Sequence, residues 1–261
     1  MTGNLKIQLK ENFLFGLVMT CRLLLGFVFL FSGTMKAIDP AGGAIKVEEY
    51  FTAFGFSDMQ WLALPFSINL ATVEFTLGVC MILGVYRKYS SLFTLLMMLF
   101  MTPLTLYLAL KNPVADCGCF GEAIILTNWQ TFYKNIVLLA ASIVAFLYHK
   151  RTTAFYSYKV YWFVAVYAYL FCIGFSIYNY RHLPIIDFLP FKVGTNIAEG
   201  MAIPDDALQD EYTYSFVYEK DGKEQTFTLD DAPSADSTWT FVRSESKFVS
   251  KGFQPLISDF V

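Results

Sequence analysis

The chain has few charged residues and no excess of positive charge. Of its 261 residues, 16% are charged and 56% are hydrophobic, whereas roughly a quarter of the residues of a soluble domain are charged. The net charge of −3 and the pI near 5.4 leave no basic surface of the kind that binds nucleic acid. The composition therefore excludes an ordinary soluble domain and argues against a nucleic-acid partner.

A cleavable signal peptide is also missing. The first apolar run, residues 13–38, is too long for a signal peptide, contains Arg22 and is not followed by a small-x-small cleavage site. We interpret it as an uncleaved membrane span. Four further runs are long enough to predict spans, at about residues 61–85, 91–110, 132–148 and 158–178. Lys134, near the start of the fourth span, is expected to extend towards the membrane interface.

Basic residues predict how the five spans are oriented. They flank the spans in three places: Lys6 and Lys10, Arg87 and Lys88, and Lys150 and Arg151. All three places lie on one side if the spans alternate, and the positive-inside rule makes that side the cytoplasm. The sequence therefore predicts a bacterial inner-membrane protein with a cytoplasmic N-terminus. Loops 39–60 and 111–130, and everything after residue 181, are predicted to lie in the periplasm.

Two of the predicted exterior segments, loop 39–60 and the chain after residue 181, contain further predicted elements. In loop 39–60, apolar residues from Val47 to Phe54 recur at helical spacing, which predicts an amphipathic helix, either in the membrane interface or packed as a lid over the bundle. Residues 212–218 and 224–229 alternate around Asp221-Gly222, a strong hairpin signal, and residues 239–243 are a candidate third strand. The predicted fold class is thus an all-α membrane protein followed by a small β-rich module. We predict a four-helix transmembrane domain at 1–152, a fifth transmembrane helix at 153–180 and an acidic extracytoplasmic module at 181–261.

Two of the five cysteines lie one residue apart, in the loop motif Asp116-Cys117-Gly118-Cys119-Phe120-Gly121. Their Cα atoms must lie within about 7 Å, which allows a disulfide, and Gly118 lets the backbone bend. So small a ring is expected to be strained and reducible, and a bridge over one residue adds little stability because it closes almost no loop. The pair therefore favours exchange chemistry. Asp116 is expected to raise the pKa of the thiols, and Lys111, the nearest cation in sequence, to offset that effect.

Two other interpretations of the pair stay open. The cysteines are either a buried or oxidised pair that only caps the bundle, or two soft ligands for a metal such as Cu(I). The chain has only two histidines to complete a metal site, His149 on the predicted cytoplasmic side and His182 just outside the fifth span. Cys21, Cys80 and Cys172 lie inside spans and are interpreted as small buried hydrophobic residues.

Arg22 and Glu74 are charged residues within the predicted spans. Counted from residues 13 and 85, they lie about 9 and 11 residues deep, or around 14–17 Å at about 1.5 Å per residue. Matched depth on antiparallel helices predicts a buried ion pair. Such charges are costly in a membrane and mark candidate functional sites. The pair either polarises a quinone carbonyl or shuttles a proton, or it only sets the register of the two helices.

These residues resemble the DoxX family. Residues 22–26 (RLLLG), 29–33 (FLFSG) and Lys36 resemble its first span, and residues 74–78 (EFTLG) with 83–84 (LG) resemble its second. The 116–121 motif before a fourth span resembles the subgroup of methylamine utilisation protein E (MauE). The resemblance covers about residues 10–150.

The resemblance implies a four-helix membrane bundle, comparable to the disulfide-handling proteins of the DsbB and vitamin K epoxide reductase type. It implies thiol and quinone redox chemistry that serves periplasmic partners. By position, Cys117 and Cys119 are the redox pair, and Arg22, Lys36 and Glu74 are polar residues of the bundle. This chain differs in its fifth span, its acidic module and its lack of a second exterior cysteine pair. A partner's dithiol is therefore expected to supply the second redox couple.

The leading hypothesis is an inner-membrane thiol–disulfide oxidoreductase that exchanges disulfides with a periplasmic thiol or disulfide protein, with quinone as its possible cofactor. Electron flow in either direction fits the sequence. The alternative is a non-enzymatic scaffold in membrane lipid that docks subunits of an envelope complex through its C-terminal module. The third hypothesis is metal carriage by the cysteine pair.

Overall fold

The structure is a computed structural model that describes residues 2–114, 117–121, 124, 126–182, 185–186, 194, 196–202, 204, 207, 211–220, 223–228, 231 and 238–250. Seven α-helices and three strands lie in these residues. They are α1 (Thr2–Ile38), α2 (Pro40–Ala53), α3 (Ala63–Leu83), α4 (Arg87–Lys111), α5 (Asn128–Leu147), α6 (Tyr161–Arg181), α7 (Ile197–Met201), β1 (Glu211–Lys220), β2 (Lys223–Thr228) and β3 (Thr240–Ser250). The chain divides into two compact units, Met1–Phe188 and Leu189–Val261.

Five helical segments of the described chain are long and apolar enough to cross a membrane. They are Glu11–Ile38, Ser57–Leu83, Arg87–Lys111, Asn128–Leu147 and Tyr158–Arg181. These helices also expose large apolar side chains, such as Phe100 at 67% and Trp162 at 61%, which is typical of surfaces that face lipid. The chain is therefore a membrane protein, as predicted, and the five predicted spans are confirmed.

Four helices enclose one apolar core. Its buried side chains come from α1, α3, α4 and α5: Leu25, Phe29, Leu77, Met81, Met98, Leu138, Ala141 and Ala145. Helix α6 packs against α1 and α3, where Cys172 contacts Ala37 and Ala71. A four-helix bundle with one further membrane helix is the predicted fold class, which is confirmed. The predicted domain boundaries at residues 152 and 180 stay predictions.

Glycines let α1 and α3 approach closely. A methyl group on Gly33 would lie 2.7 Å from the carbonyl oxygen of Ala71, and one on Gly78 would lie 2.7 Å from Cα of Leu30. Membrane helices associate through such small residues because lipid is as apolar as their side chains, so close packing must replace the hydrophobic effect. These backbone contacts fix the antiparallel register of α1 against α3.

Replacing Gly33 by alanine is expected to lower the thermal midpoint of the detergent-solubilised protein by roughly 5 °C, because the added methyl group overpacks the α1–α3 contact. The matched control is Gly16→Ala in the same helix, where an added methyl group meets nothing within 4 Å. The control is expected to keep or raise the midpoint, since alanine favours helix more than glycine does. Equal midpoints for the two variants would contradict the close packing.

The C-terminal unit contains a three-stranded antiparallel sheet in the order β2-β1-β3. Strands β1 and β2 pair from Ser215 with Thr228 to Lys220 with Lys223, which confirms the hairpin predicted around Asp221-Gly222. Strand β3 pairs along the other edge of β1 and begins within the predicted third strand. Val217 in β1 is 2% exposed. The module is thus β-rich, as predicted.

Candidate functional site

The cysteine pair forms a disulfide in the loop between α4 and α5. The Cα atoms of Cys117 and Cys119 lie 5.4 Å apart, within the usual range for a disulfide. Gly118 between them has φ +61°, a left-handed conformation that glycine adopts without steric cost. The N–H of Gly121 donates to the carbonyl of Gly118 at 3.2 Å and closes the turn. Asp116, which was predicted to raise the thiol pKa, lies outside the described residues.

Helix α2 packs against the disulfide loop. The hydroxyl of Tyr50 donates to the carbonyl oxygen of Cys117 at 3.1 Å, and a methyl group on Gly118 would lie 3.1 Å from Cγ of Lys46. Val47 is buried in a cluster that includes residues of α3. Because α2 contacts both the loop and α3, the structure supports the lid interpretation of this segment over a helix lying free in the interface.

Helices α1 and α5 also contact the loop. The hydroxyl of Ser32 in α1 donates to the carbonyl oxygen of Cys119 at 2.5 Å. The hydroxyl oxygen of Thr131 in α5 lies 3.7 Å from Sγ of Cys117, and Thr131 is fully buried. A capping box between Thr127 and Gln130 fixes the start of α5 and so places Thr131 in its first turn.

Phe120 joins the loop to the same two helices. Its ring packs edge-to-face on Phe31 with centroids 5.5 Å apart, and the ammonium of Lys134 lies 4.1 Å from its centroid, a cation–π distance. Lys134 also lines a cavity, and the expectation that it extends towards the membrane interface stays a prediction.

A buried ion pair lies next to the loop. The ammonium of Lys36 lies 2.7 Å from both carboxylate oxygens of Glu74, and the two side chains are 10% and 7% exposed. Ser32, one helical turn before Lys36, has its hydroxyl 2.7 Å from Oε2 of Glu74. That hydroxyl is therefore within hydrogen-bond distance of both Glu74 and the carbonyl of Cys119, and it connects the ion pair to the disulfide loop.

Arg22 is not part of this pair. Its guanidinium donates to the carbonyl oxygens of Thr153 at 2.7 Å and Ile82 at 3.4 Å, and the residue is 2% exposed. The predicted Arg22–Glu74 ion pair is therefore wrong. The prediction assumed that residues 13 and 85 lie at the same level, but Arg22 contacts the carbonyl of Ile82 near the end of α3, about two helical turns away from Glu74. The glycine contacts set a register in which Glu74 faces the second half of α1.

A cavity of about 440 Å³ lies beside the disulfide. Residues Cys117 to Cys119 form part of its wall, together with side chains from helices α1 to α5. Most of the wall is aromatic or aliphatic, and its charged members are Lys36, Lys46, Glu74 and Lys134. An apolar wall with a few polar groups is typical of a small-molecule site.

The other predicted site residues lie away from this arrangement. Lys111 is the exposed last residue of α4 and has no place in the cavity wall formed by the described residues. Cys21, Cys80 and Cys172 are free thiols in α1, α3 and α6. The described part of the chain contains no group of three or more His, Cys, Asp or Glu residues able to hold a metal ion.

Sequence reasoning missed three polar residues of the site. They are Ser32, Thr131 and Lys134. A partial signal existed, because Ser32 and Lys36 are four residues apart, and Thr131 and Lys134 three apart, so each pair shares a helix face. That spacing does not tell which loop the face contacts, and only the tertiary structure supplies this contact.

Fold and site together define a polytopic membrane protein with a disulfide in the loop between two spans, beside a cavity in the helix bundle. The family model for Methylamine utilisation protein MauE matches residues 14–148, about half of the chain. The chain belongs to this family, which confirms the predicted MauE-like membership.

Further comparisons extend this result. Residues 212–251 match a domain of unknown function, DUF8463. Protein TlpB of Flavobacterium psychrophilum is 30% identical to this chain over 136 residues, which are 51% of this chain and 37% of that protein. This chain thus spans little more than a third of the length of that curated relative. No solved structure matches the chain.

Proposed function

We propose that the chain is a membrane thiol–disulfide oxidoreductase that exchanges disulfides with a partner protein through Cys117 and Cys119. The observation that carries this proposal is the position of the disulfide. Both cysteines are only half-buried, and both line the cavity. A bridge over one residue contributes little stability because it closes almost no loop. Its position therefore favours a chemical role over a structural one.

Quinone is the electron acceptor that this cavity suits. A cavity of about 440 Å³ lies within the ~300–1,000 Å³ range of small-molecule sites. Its apolar wall suits a lipid-soluble ring and tail, and the ammonium groups of Lys36 and Lys134 suit carbonyl oxygens that gain negative charge on reduction. In the overall reaction a partner's two thiols become a disulfide, and the quinone takes up two electrons and two protons. Cys117 and Cys119 carry the electrons as a dithiol in between, and the reverse flow uses the same groups.

The distribution of basic residues supports the proposed orientation. Arg87 donates to the carbonyl of Thr152 and Arg151 pairs with Glu11, so basic residues of the two loops meet at one end of the bundle. The disulfide loop follows α4 at its other end. With the positive-inside rule, this arrangement supports an inner-membrane protein whose disulfide and C-terminal module face the periplasm.

The partner is a periplasmic protein with its own pair of thiols. The three other cysteines of the chain are free and lie in three different helices, so they supply no second disulfide next to the first. A relay that uses two redox couples therefore needs the partner's dithiol as the second couple.

Serine variants of the pair test the proposal. Cys117→Ser and Cys119→Ser are each expected to abolish quinone-dependent thiol oxidation, because neither can form the disulfide. The measurement is the redox state of exterior thiol proteins after trapping with an alkylating reagent, in cells that carry each variant. Cys21→Ser, which alters a free cysteine, is the control and is expected to behave as the parent. An unchanged redox state in all three strains would show that the proposal is wrong.

A scaffold role is the second candidate. It is favoured by the separate compact unit Leu189–Val261, which contains its own family match. Truncation after residue 188 distinguishes the candidates: an intact disulfide with loss of all function favours the scaffold. Metal carriage, the third candidate, would have to use Cys117 and Cys119 in their reduced form, and metal analysis of the reduced protein with and without Cys119→Ala tests it.

A further inference from the structure

The two sulfur atoms of the disulfide have different surroundings. Sγ of Cys117 lies 3.7 Å from the hydroxyl oxygen of Thr131 and accepts from the backbone N–H of Cys119 at 3.2 Å. In a disulfide neither sulfur carries a proton, so the threonine hydroxyl is the donor in the first contact. Within the described residues, Sγ of Cys119 has no comparable donor. The pair is therefore chemically asymmetric.

This asymmetry affects which sulfur leaves when the bridge opens. Thiol–disulfide exchange releases one sulfur as a thiolate, and exchange is faster when the leaving thiolate is stabilised. Hydrogen bonds to a charged form favour that form. Both donors point at Cys117, and Thr131 lies in the first turn of α5, where the helix dipole also favours negative charge.

We propose that the incoming thiolate attacks Sγ of Cys119 and that Cys117 leaves as a thiolate held by Thr131. This inference rests on the proposed function. A bond forms between the partner sulfur and Sγ of Cys119, the Cys117–Cys119 bond breaks, and its electron pair stays on Cys117. Thr131 keeps its proton and donates a hydrogen bond. The partner's second thiolate then attacks the partner's own sulfur in the mixed disulfide, and Cys119 is released reduced.

The three helix contacts of the loop agree with this assignment. Tyr50 and Ser32 hold the carbonyl oxygens of Cys117 and Cys119, so the backbone on both sides of Gly118 stays in place when the bridge opens. The released thiolate of Cys117 therefore stays beside Thr131. Thr131 is fully buried, which strengthens its hydrogen bond to a charged sulfur.

Mapping of the mixed disulfide tests the proposal. The purified full-length protein in detergent is mixed with glutathione in the presence of iodoacetamide, and peptide mass spectrometry locates both modifications. The expected product carries glutathione on Cys119 and the alkyl group on Cys117. Glutathione on Cys117, or equally on both, would overturn the assignment but leave the proposed function intact. No adduct on either cysteine, with both alkylated after chemical reduction, would count against the proposed function itself.

Variants of Thr131 provide the second measurement. Thr131→Val, which keeps the shape and removes the hydroxyl, is expected to slow adduct formation about tenfold and to shift alkylation of the released Cys117 to higher pH. Thr131→Ser is expected to restore both. Thr94→Val, at an equally buried threonine of α4, is the control and is expected to match the parent. An unchanged alkylation profile in a folded Thr131→Val protein would overturn the role of Thr131.

Discussion

Glu74→Ala is expected to destabilise the bundle by about 3–5 kcal/mol, because it leaves the ammonium of Lys36 buried without its carboxylate. Lys36 is 10% exposed and lies 2.7 Å from Glu74, so water has little access to replace the lost partner. The measurement is the thermal midpoint in detergent, with an expected fall of roughly 10 °C. Glu49→Ala is the matched control. Glu49 also pairs with a lysine, Lys46, but is 40% exposed, and loss of such a pair costs about 0–1 kcal/mol.

A double variant separates the structural role of this pair from a chemical one. Lys36→Met with Glu74→Met removes both charges and is expected to regain most of the lost stability, since an apolar pair of similar volume often replaces a buried ion pair without loss. Quinone reduction by the double variant is nevertheless expected to fall about 100-fold, because the cavity loses a preorganised charge. Parent-level activity in the double variant would assign the pair only to helix register.

Leu104→Trp is expected to lower the rate of quinone reduction about tenfold or more, because Leu104 lines the cavity and the larger indole occupies part of the space that a quinone ring needs. Exchange between the disulfide and dithiothreitol, which does not use the cavity, is expected to stay within about twofold of the parent. The two rates are measured on the same purified protein, by quinone absorbance and by thiol trapping.

Leu99→Trp is the control for the cavity variant. Leu99 is in the same helix but is 49% exposed on the outer surface, so both rates are expected to match those of the parent. If Leu104→Trp reduces quinone as fast as Leu99→Trp does, the cavity is not the quinone site. If Leu104→Trp loses both rates together, the substitution has disturbed the disulfide loop as well.

Features that depend on neighbouring residues in sequence were predicted well. Each span is visible as an apolar run, and the hairpin of β1 and β2 is visible from alternation around Asp221-Gly222. The disulfide between Cys117 and Cys119 also follows from a separation of two residues. In each case the chain itself brings the interacting groups together, so no tertiary information is needed.

Features that depend on helix register were not predicted. Glu74 faces Lys36 because backbone contacts, such as Gly33 against Ala71, set how far α1 and α3 slide past each other. Hydropathy alone places the ends of a span to within a few residues. A shift of α1 against α3 by one helical turn is enough to place another residue opposite Glu74 instead of Lys36. The placement of Ser32 and Thr131 beside the disulfide depends on the same register and on the fold of the loop.

The position of the single disulfide has a kinetic consequence. Cys117 and Cys119 line the cavity and are also partly exposed, and in the proposed reaction this one pair exchanges a disulfide with a soluble protein and passes electrons to a lipid-soluble acceptor in turn. The two half-reactions are therefore separated in time, as in a substituted-enzyme (ping-pong) catalyst. Turnover then depends on how quickly the cysteine pair reacts first with the partner protein and then with the quinone, because the two substrates do not react with it at the same time.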